Sequence, residues 1–257
     1  MNSQYNETFI TALQWLWGDG NLAPGGTDDL SEMLDGIDTQ AMDILDVGCG
    51  LGAIAVDLVQ NRGAASVVGV DVEPHLVAHS RERAKKAGVH DTVSFQVVTP
   101  GPLPFADDTF DLVVTKDAII HIPDKAAFYA DVLRVLKPGG AFAGSDWLRG
   151  GEGPCSDNAT RWLEIVHLDF EMQNLQQTSM ALQQSGFAQV RLNDRNAWYK
   201  EEIKSELATL EGDKYQRLAE LIGNEAAEHR LQSSRLKQQV VEEGFLRPTH
   251  FVAIKPA

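Results

Sequence analysis

The chain has 257 residues, 43% of them hydrophobic, and a net charge of −15. That length buries the core of one α/β domain with an accessory lobe, while the acidic balance and the lack of a Lys/Arg-rich block argue against a nucleic-acid partner, which needs a cationic face. Two cysteines, Cys49 and Cys155, make no disulfide framework, the polar start MNSQYNETF carries no basic signal segment, and no apolar run spans a bilayer, so a cytoplasmic protein is expected.

Apolar spacing predicts a short helix over residues 9–17, followed by a turn-rich loop at 18–26. From Asp43 onward, short apolar runs alternate with amphipathic segments. Strands are predicted at 43–47, 66–71, 93–98, 110–115 and 141–145, and helices at 52–61, 74–87 and 125–136. Lys137-Pro138-Gly139-Gly140 ends the last of these helices and turns into a strand. The alternation predicts a parallel, doubly wound sheet. After Asp146 the pattern changes. Helices are expected at 155–168 and 174–185, a strand at 187–192, and two or three helices within 198–241. The terminal FLRPTHFVAIKP reads as a strand broken by Pro248.

The string ILDVGCGLG places a buried strand before Gly48, Gly50 and Gly52. Glycines there allow a tight turn and close approach of backbone to a ligand, and the next helix presents free N–H groups. VVGVDVEP follows, with Asp71 at the end of the second strand, about twenty residues on, where a ribose-binding carboxylate belongs. The competing reading of Asp71 is an ordinary strand-end acid.

An acid two residues before the first glycine separates this turn from a dinucleotide fingerprint. D-x-G-C-G-x-G resembles motif I of class I S-adenosylmethionine (SAM)-dependent methyltransferases. LPFADDTFDLVV resembles that family's fourth-strand motif, and VLRVLKPGGAF its helix-turn before the fifth strand. The resemblance implies an α/β, Rossmann-like, doubly wound, mostly parallel seven-stranded sheet. It further implies an N-terminal lid over 1–40, a SAM-binding core over 41–150 and a substrate-side helical lobe over 151–257 that completes the sheet. By the same resemblance Asp46 and Gly48 serve the methionine end of SAM, Gly50 is a further cofactor-binding residue, Asp71 takes the ribose hydroxyls and Val72 lies against the adenine. Thr99 and Pro100 stand beside the adenine, with Thr99 a neutral residue where the family often has Asp.

TKDAIIHI follows the fourth strand, at the carboxyl ends where ligands sit in this fold. Asp117 and His121 are four apart, so one helical turn would put them on one side. A histidine there can take a proton from an attacking amine or hydroxyl near neutral pH, or be a structural residue at a strand–helix junction.

Across nearly the whole chain, QYNETFITALQWLWGDG…GG, KDAIIHI and GFLRPTHFVAIKP resemble phosphoethanolamine N-methyltransferases. The resemblance implies a catalytic pair of Tyr5 and His121, with Gln4, Leu22, Ala23 and Lys116 at lid and SAM-contact positions. The substrate region departs from that family. The tyrosines and arginine that hold its phosphate are absent, and Trp147, Trp162, His167, Leu168 and Phe170 occupy that stretch. Arg235 or Lys237 stands near the family's late lysine. Loss of the bidentate arginine removes a strong phosphate contact. Trp147, Trp162 and Phe170 can form an aromatic wall that attracts a methylated ammonium, or can simply pack the lobe on the sheet. Trp15 and Trp17 are expected to pack the lid.

The expected function is methyl transfer from SAM, leaving S-adenosylhomocysteine (SAH), to a small-molecule acceptor, with nitrogen the favoured atom. Carbon or oxygen methylation of a quinone- or isoprenoid-like acceptor is the alternative within enzymes, and a non-catalytic SAM-binding sensor or partner subunit the alternative outside them. No metal, nucleic acid or membrane span is expected.

Overall fold

The computed structural model describes residues 5–166 and 170–257; Gln4, His167 and Leu168 lie outside them. In chain order the elements are α1 (Glu7–Trp17), α2 (Gly26–Met33), β1 (Asp43–Val47), α3 (Ala53–Gln60), β2 (Ser66–Asp71), α4 (Pro74–Ala87), β3 (Val93–Val97), β4 (Phe110–Lys116), α5 (Lys125–Val135), β5 (Leu136–Arg149), α6 (Asp157–Val166), α7 (Leu175–Gln184), β6 (Ala188–Asp194), α8 (Asn196–Glu211), α9 (Tyr215–Ile222), α10 (Asn224–Glu242) and β7 (Leu246–Ile254). The strands form one sheet in the order β3-β2-β1-β4-β5-β7-β6, parallel except for β7, which runs antiparallel to both neighbours. The order reverses between β1 and β4, so a crevice opens at their carboxyl ends.

Local chemistry sets the helix limits. Pro74 opens α4 and Gly88, in a left-handed conformation at φ 72°, closes it. The Asp124 side chain accepts from Ala127 N at 2.9 Å to start α5, and Asn174 starts α7 with a reciprocal capping box. One face of the sheet packs Leu30, Met33, Leu58 and Val77 from α2, α3 and α4. The other packs Tyr129, Val132 and Leu182 from α5 and α7 against Leu45, Val113 and Phe142. Complete burial of each such side chain stabilises by about 1.5–3 kcal/mol before chain entropy is subtracted. A third cluster, with Trp162, Tyr199, Ile203 and Val240, ties α6, α8 and α10 together. Helix α1 joins α9 through Ala12, Trp15, Leu218 and Ala219.

Two expectations need correction. Strand β7 runs unbroken through Pro248, which lies opposite Trp147 of β5. Its carbonyl accepts from Arg195 N at 2.8 Å, on the side where β6 has just ended. N–H and C=O of one strand residue point the same way, so the missing donor falls where no ladder partner remains. Strand β5 is also longer than the apolar run at 141–145, because Leu136 already pairs with Phe110 and the far end pairs with β7 up to Leu246.

Candidate active site

The crevice widens into a cavity of about 1700 Å³ between the sheet, α1 and the helical lobe. Gly48, Gly50, Asp71, Val72, Thr99, Pro100, Leu22, Ala23 and Lys116 all line it. Gly48 has φ 73°, and a Cβ there would lie 2.3 Å from the Ala118 Cβ, so only glycine lets the turn pass beneath the loop after β4. Asp71 accepts from Gly50 N and Glu73 N, each at 2.9 Å, which fixes the carboxylate at the strand end. Val72 is 51% exposed and forms part of the cavity wall.

Asp46 is buried at the end of β1, behind the lining of the cavity, and neither of its carboxylate oxygens has a hydrogen-bond partner among the described residues. Burial, and then the charge of Asp71, push its pKa up to about 7. A buried acid with no partner costs free energy unless a donor arrives. The ammonium of an amino acid is such a donor, and Asp71 beside it suits a ribose. The residues therefore fit SAM.

Helix α1 and the loop after it cover the cavity. The Tyr5 carbonyl accepts from His75 Nε2 at 2.7 Å, and Arg83 grips Asp19 through two nitrogens at 2.8 and 2.9 Å. The Tyr5 ring packs with Leu22 on Ile10, Leu51 and Leu76. Its hydroxyl lies 3.4 Å from His121 Nε2. Burial, reinforced by Asp71 and Asp117, keeps that hydroxyl protonated well beyond the usual tyrosine range.

Asp117 and His121 do not share a helical turn. Asp117 adopts φ 56°, and residues 119–121 form a 3₁₀ turn instead. The Asp117 carboxylate accepts from Ser145 Oγ at 2.7 Å and faces β5. Two residues that the sequence did not mark hold this turn. Asp146 accepts from Ile120 N at 3.0 Å, and Lys125 Nζ donates to the carbonyls of Ile119 and Ile122 at 2.7 and 2.9 Å.

On the acceptor side Trp147, Trp162 and Phe170 all line the cavity. Phe170 links His121 to Trp162, with ring centroids 5.4 and 5.8 Å away. Trp147 lies edge-on to Tyr199 at 4.8 Å. The wall and the packing role coincide, since these rings also belong to the lobe's core. Arg235 is exposed and pairs with Glu211. Lys237 is buried, donates to both Glu206 oxygens at 3.1 Å and lines the cavity with Arg230. Trp17 lies 5.1 Å from the Arg230 guanidinium and 5.5 Å from Lys237 Nζ, so the last residue of α1 rests on this cationic pair.

The sheet order and the glycine turn, with Asp46 and Asp71 at its base, define a class I methyltransferase fold. A family model described as a methyltransferase domain matches residues 38–223, and the chain belongs to that family. It is 29% identical over 214 residues to phosphoethanolamine N-methyltransferase 3 of Arabidopsis thaliana, covering 83% of this chain and 42% of that protein. A phosphoethanolamine N-methyltransferase of Triticum aestivum is 30% identical over 220 residues, covering 85% and 42%. Among solved structures, Haemonchus contortus phosphoethanolamine N-methyltransferase 2, in complex with phosphomonomethylethanolamine and SAH, superposes with a TM-score of 0.90 at 26% identity, covering 99% of this chain and 58% of that one. The chain thus spans under half the length of these plant relatives.

Proposed function

We propose that this chain transfers a methyl group from SAM to an amine nitrogen of a small molecule, as a cytoplasmic enzyme of the EC 2.1.1 class. The observation that carries the reading is one cavity lined both by the glycine turn with Asp71 and by the Tyr5–His121 pair, with the Asp46 carboxylate buried beside that turn.

Bound SAM supplies an activated sulfonium methyl. Asp46 pairs with its ammonium, Asp71 takes the ribose hydroxyls, and Leu22, Ala23 and Lys116 border the same space. Tyr5 and α1 close the cavity against water. Its protonated hydroxyl donates to His121 Nε2 until an acceptor nitrogen enters. His121 then takes the proton that the amine sheds, and alignment of acceptor and methyl supplies most of the acceleration. The relatives' names point to phosphoethanolamine. The tryptophan-rich wall in place of tyrosines and arginine favours an amine with a different anchor.

The apolar rings of Trp147, Trp162 and Phe170 on the cavity wall favour one further reading, methylation at carbon or oxygen of a larger apolar acceptor. A labelled-SAM screen across amines, phosphobases, imidazoles, thiols and quinones separates the two. No transfer to any amine, with transfer to a quinone, would overturn the nitrogen assignment. Failure to bind SAH by calorimetry would overturn the SAM reading itself.

A further inference from the structure

Beside the cavity lies a buried chain of charges that neither the glycine turn nor the Tyr5–His121 pair uses. Asp29 of α2 sits at its centre, 5% exposed. One of its oxygens is ion-paired with Lys116 at the end of β4, and the other accepts from His250 Nε2 of β7 at 2.9 Å. His250 Nδ1 in turn accepts from Arg195 Nη1 at 3.2 Å, which fixes the histidine with its proton on Nε2. Arg195 also pairs with Glu32, so the chain closes on α2. His250 and Lys116 hold the Asp29 carboxyl down at about 2 despite its burial.

Lys116 has a second partner. Its Nζ donates to the Pro24 carbonyl at 2.9 Å. Pro24 ends the segment 21–24, which lines the cavity, and Leu22 of that segment lies over the glycine turn, 3.2 Å from where a Gly50 Cβ would stand. We infer that Asp29 is a positioning residue for the loop that covers the SAM site, acting through Lys116 on the Pro24 carbonyl. A buried ion pair is a poor source of net stability, because desolvation offsets its attraction. What it supplies is direction. The Lys116 ammonium, held on one side by Asp29, meets the Pro24 carbonyl on the other.

The inference rests on the SAM reading for its consequence but not for its geometry, so two measurements are needed. Hydrogen exchange at the Gly20 and Asn21 amides, which donate to Gln14 Oε1 and the Gly18 carbonyl, reads the strap alone in ligand-free protein. SAH affinity reads its effect on the site. Asp29→Asn is expected to speed exchange at these two amides by about tenfold or more, with β4 and β7 amides unchanged, and to weaken SAH by a similar factor. Lys116→Met, which leaves Asp29 with His250, is expected to do the same and carries the test if Asp29→Asn does not fold. The double variant should be no worse than Lys116→Met alone. Unchanged exchange at Gly20 and Asn21 in a folded variant overturns the proposal. So does faster exchange across the whole of β4 and β7, the mark of a merely structural role. Wild-type protein that binds no SAH overturns the SAM reading and leaves the exchange comparison intact.

Discussion

The Tyr5 hydroxyl and His121 Nε2 lie 3.4 Å apart although 116 positions separate the two residues. The first enters from the segment before α1 and the second from the turn after β4. The contact ties the segment before α1 to the turn after β4, across the cavity that both line. His121→Ala is expected to lower kcat by about 10²–10⁴ with SAH affinity within twofold of wild type, the range for loss of one general base. Full turnover in single-turnover assays would end the base assignment.

Tyr5→Phe tests closure separately from proton transfer. The ring and its contacts with Leu22 and Phe9 remain, and only the hydroxyl goes. A net hydrogen bond of this kind contributes about 0.5–1.5 kcal/mol, so the loss should be no more than about tenfold in kcat/KM. A loss as deep as that of His121→Ala would mean that the hydroxyl itself takes part in the chemistry.

The Asp46 carboxyl titrates at about 7 with burial as the main cause and Asp71 as the second. An unfolded aspartate loses its proton near 3.9. Between those values the folded protein holds a proton that the unfolded chain has released. The contribution of Asp46 to stability therefore falls as pH rises from about 4 to 7, by at most about 4 kcal/mol. Asp46→Asn should raise the Tm of ligand-free protein at pH 8 and leave it nearly unchanged at pH 3.5. SAM affinity of the wild type should rise with pH through 7, as the carboxylate forms, and Asp46→Asn should flatten that profile. Calorimetry across pH 3.5–8.5 checks both signs.

Much of this site was legible in the chain because it is local. The glycine turn, Asp46 and Asp71 belong to two strands whose apolar runs match β1 and β2 residue for residue. What was hidden is non-local. Asp29 and His250 are 221 residues apart, and nothing in the polar string TDDLSEM announces that one of its acids is buried. Helix α2 has weak helical chemistry and exists because Leu30 and Met33 pack under the sheet. The misreading of Asp117 and His121 has the same root. A spacing of four implies a shared face only in an α-helix, and the positive φ of Asp117 was invisible.

Phe170 bridges His121 and Trp162 on the acceptor side. It is only half-buried, so its removal should cost little in stability. Phe170→Ala is expected to shift Tm by only a few degrees and to raise acceptor KM more than SAM KM. Equal effects on both would mean that the ring serves the fold rather than the acceptor.

Glu206 offers a last test, of the floor beneath the lid. It is 4% exposed and receives Lys237, Arg230 and Ser234. Burial alone would raise its pKa, but Lys237 and Arg230 hold it below the usual carboxylate range. Lys237 is the complementary case, since burial brings its pKa down to about 8 even with Glu206 beside it. Glu206→Gln leaves the buried Lys237 and the partly buried Arg230 without a counter-charge and should cost about 3–5 kcal/mol. Adding Lys237→Met removes one of those cations and should recover at least half of the loss. Because Trp17 rests on the same two cations, the single variant should also loosen α1, seen as faster hydrogen exchange at its last turn in urea-free buffer. If the double variant is no more stable than Glu206→Gln, the cost lies in lost packing rather than in unpaired charge, and the cationic pair is not what seats the lid.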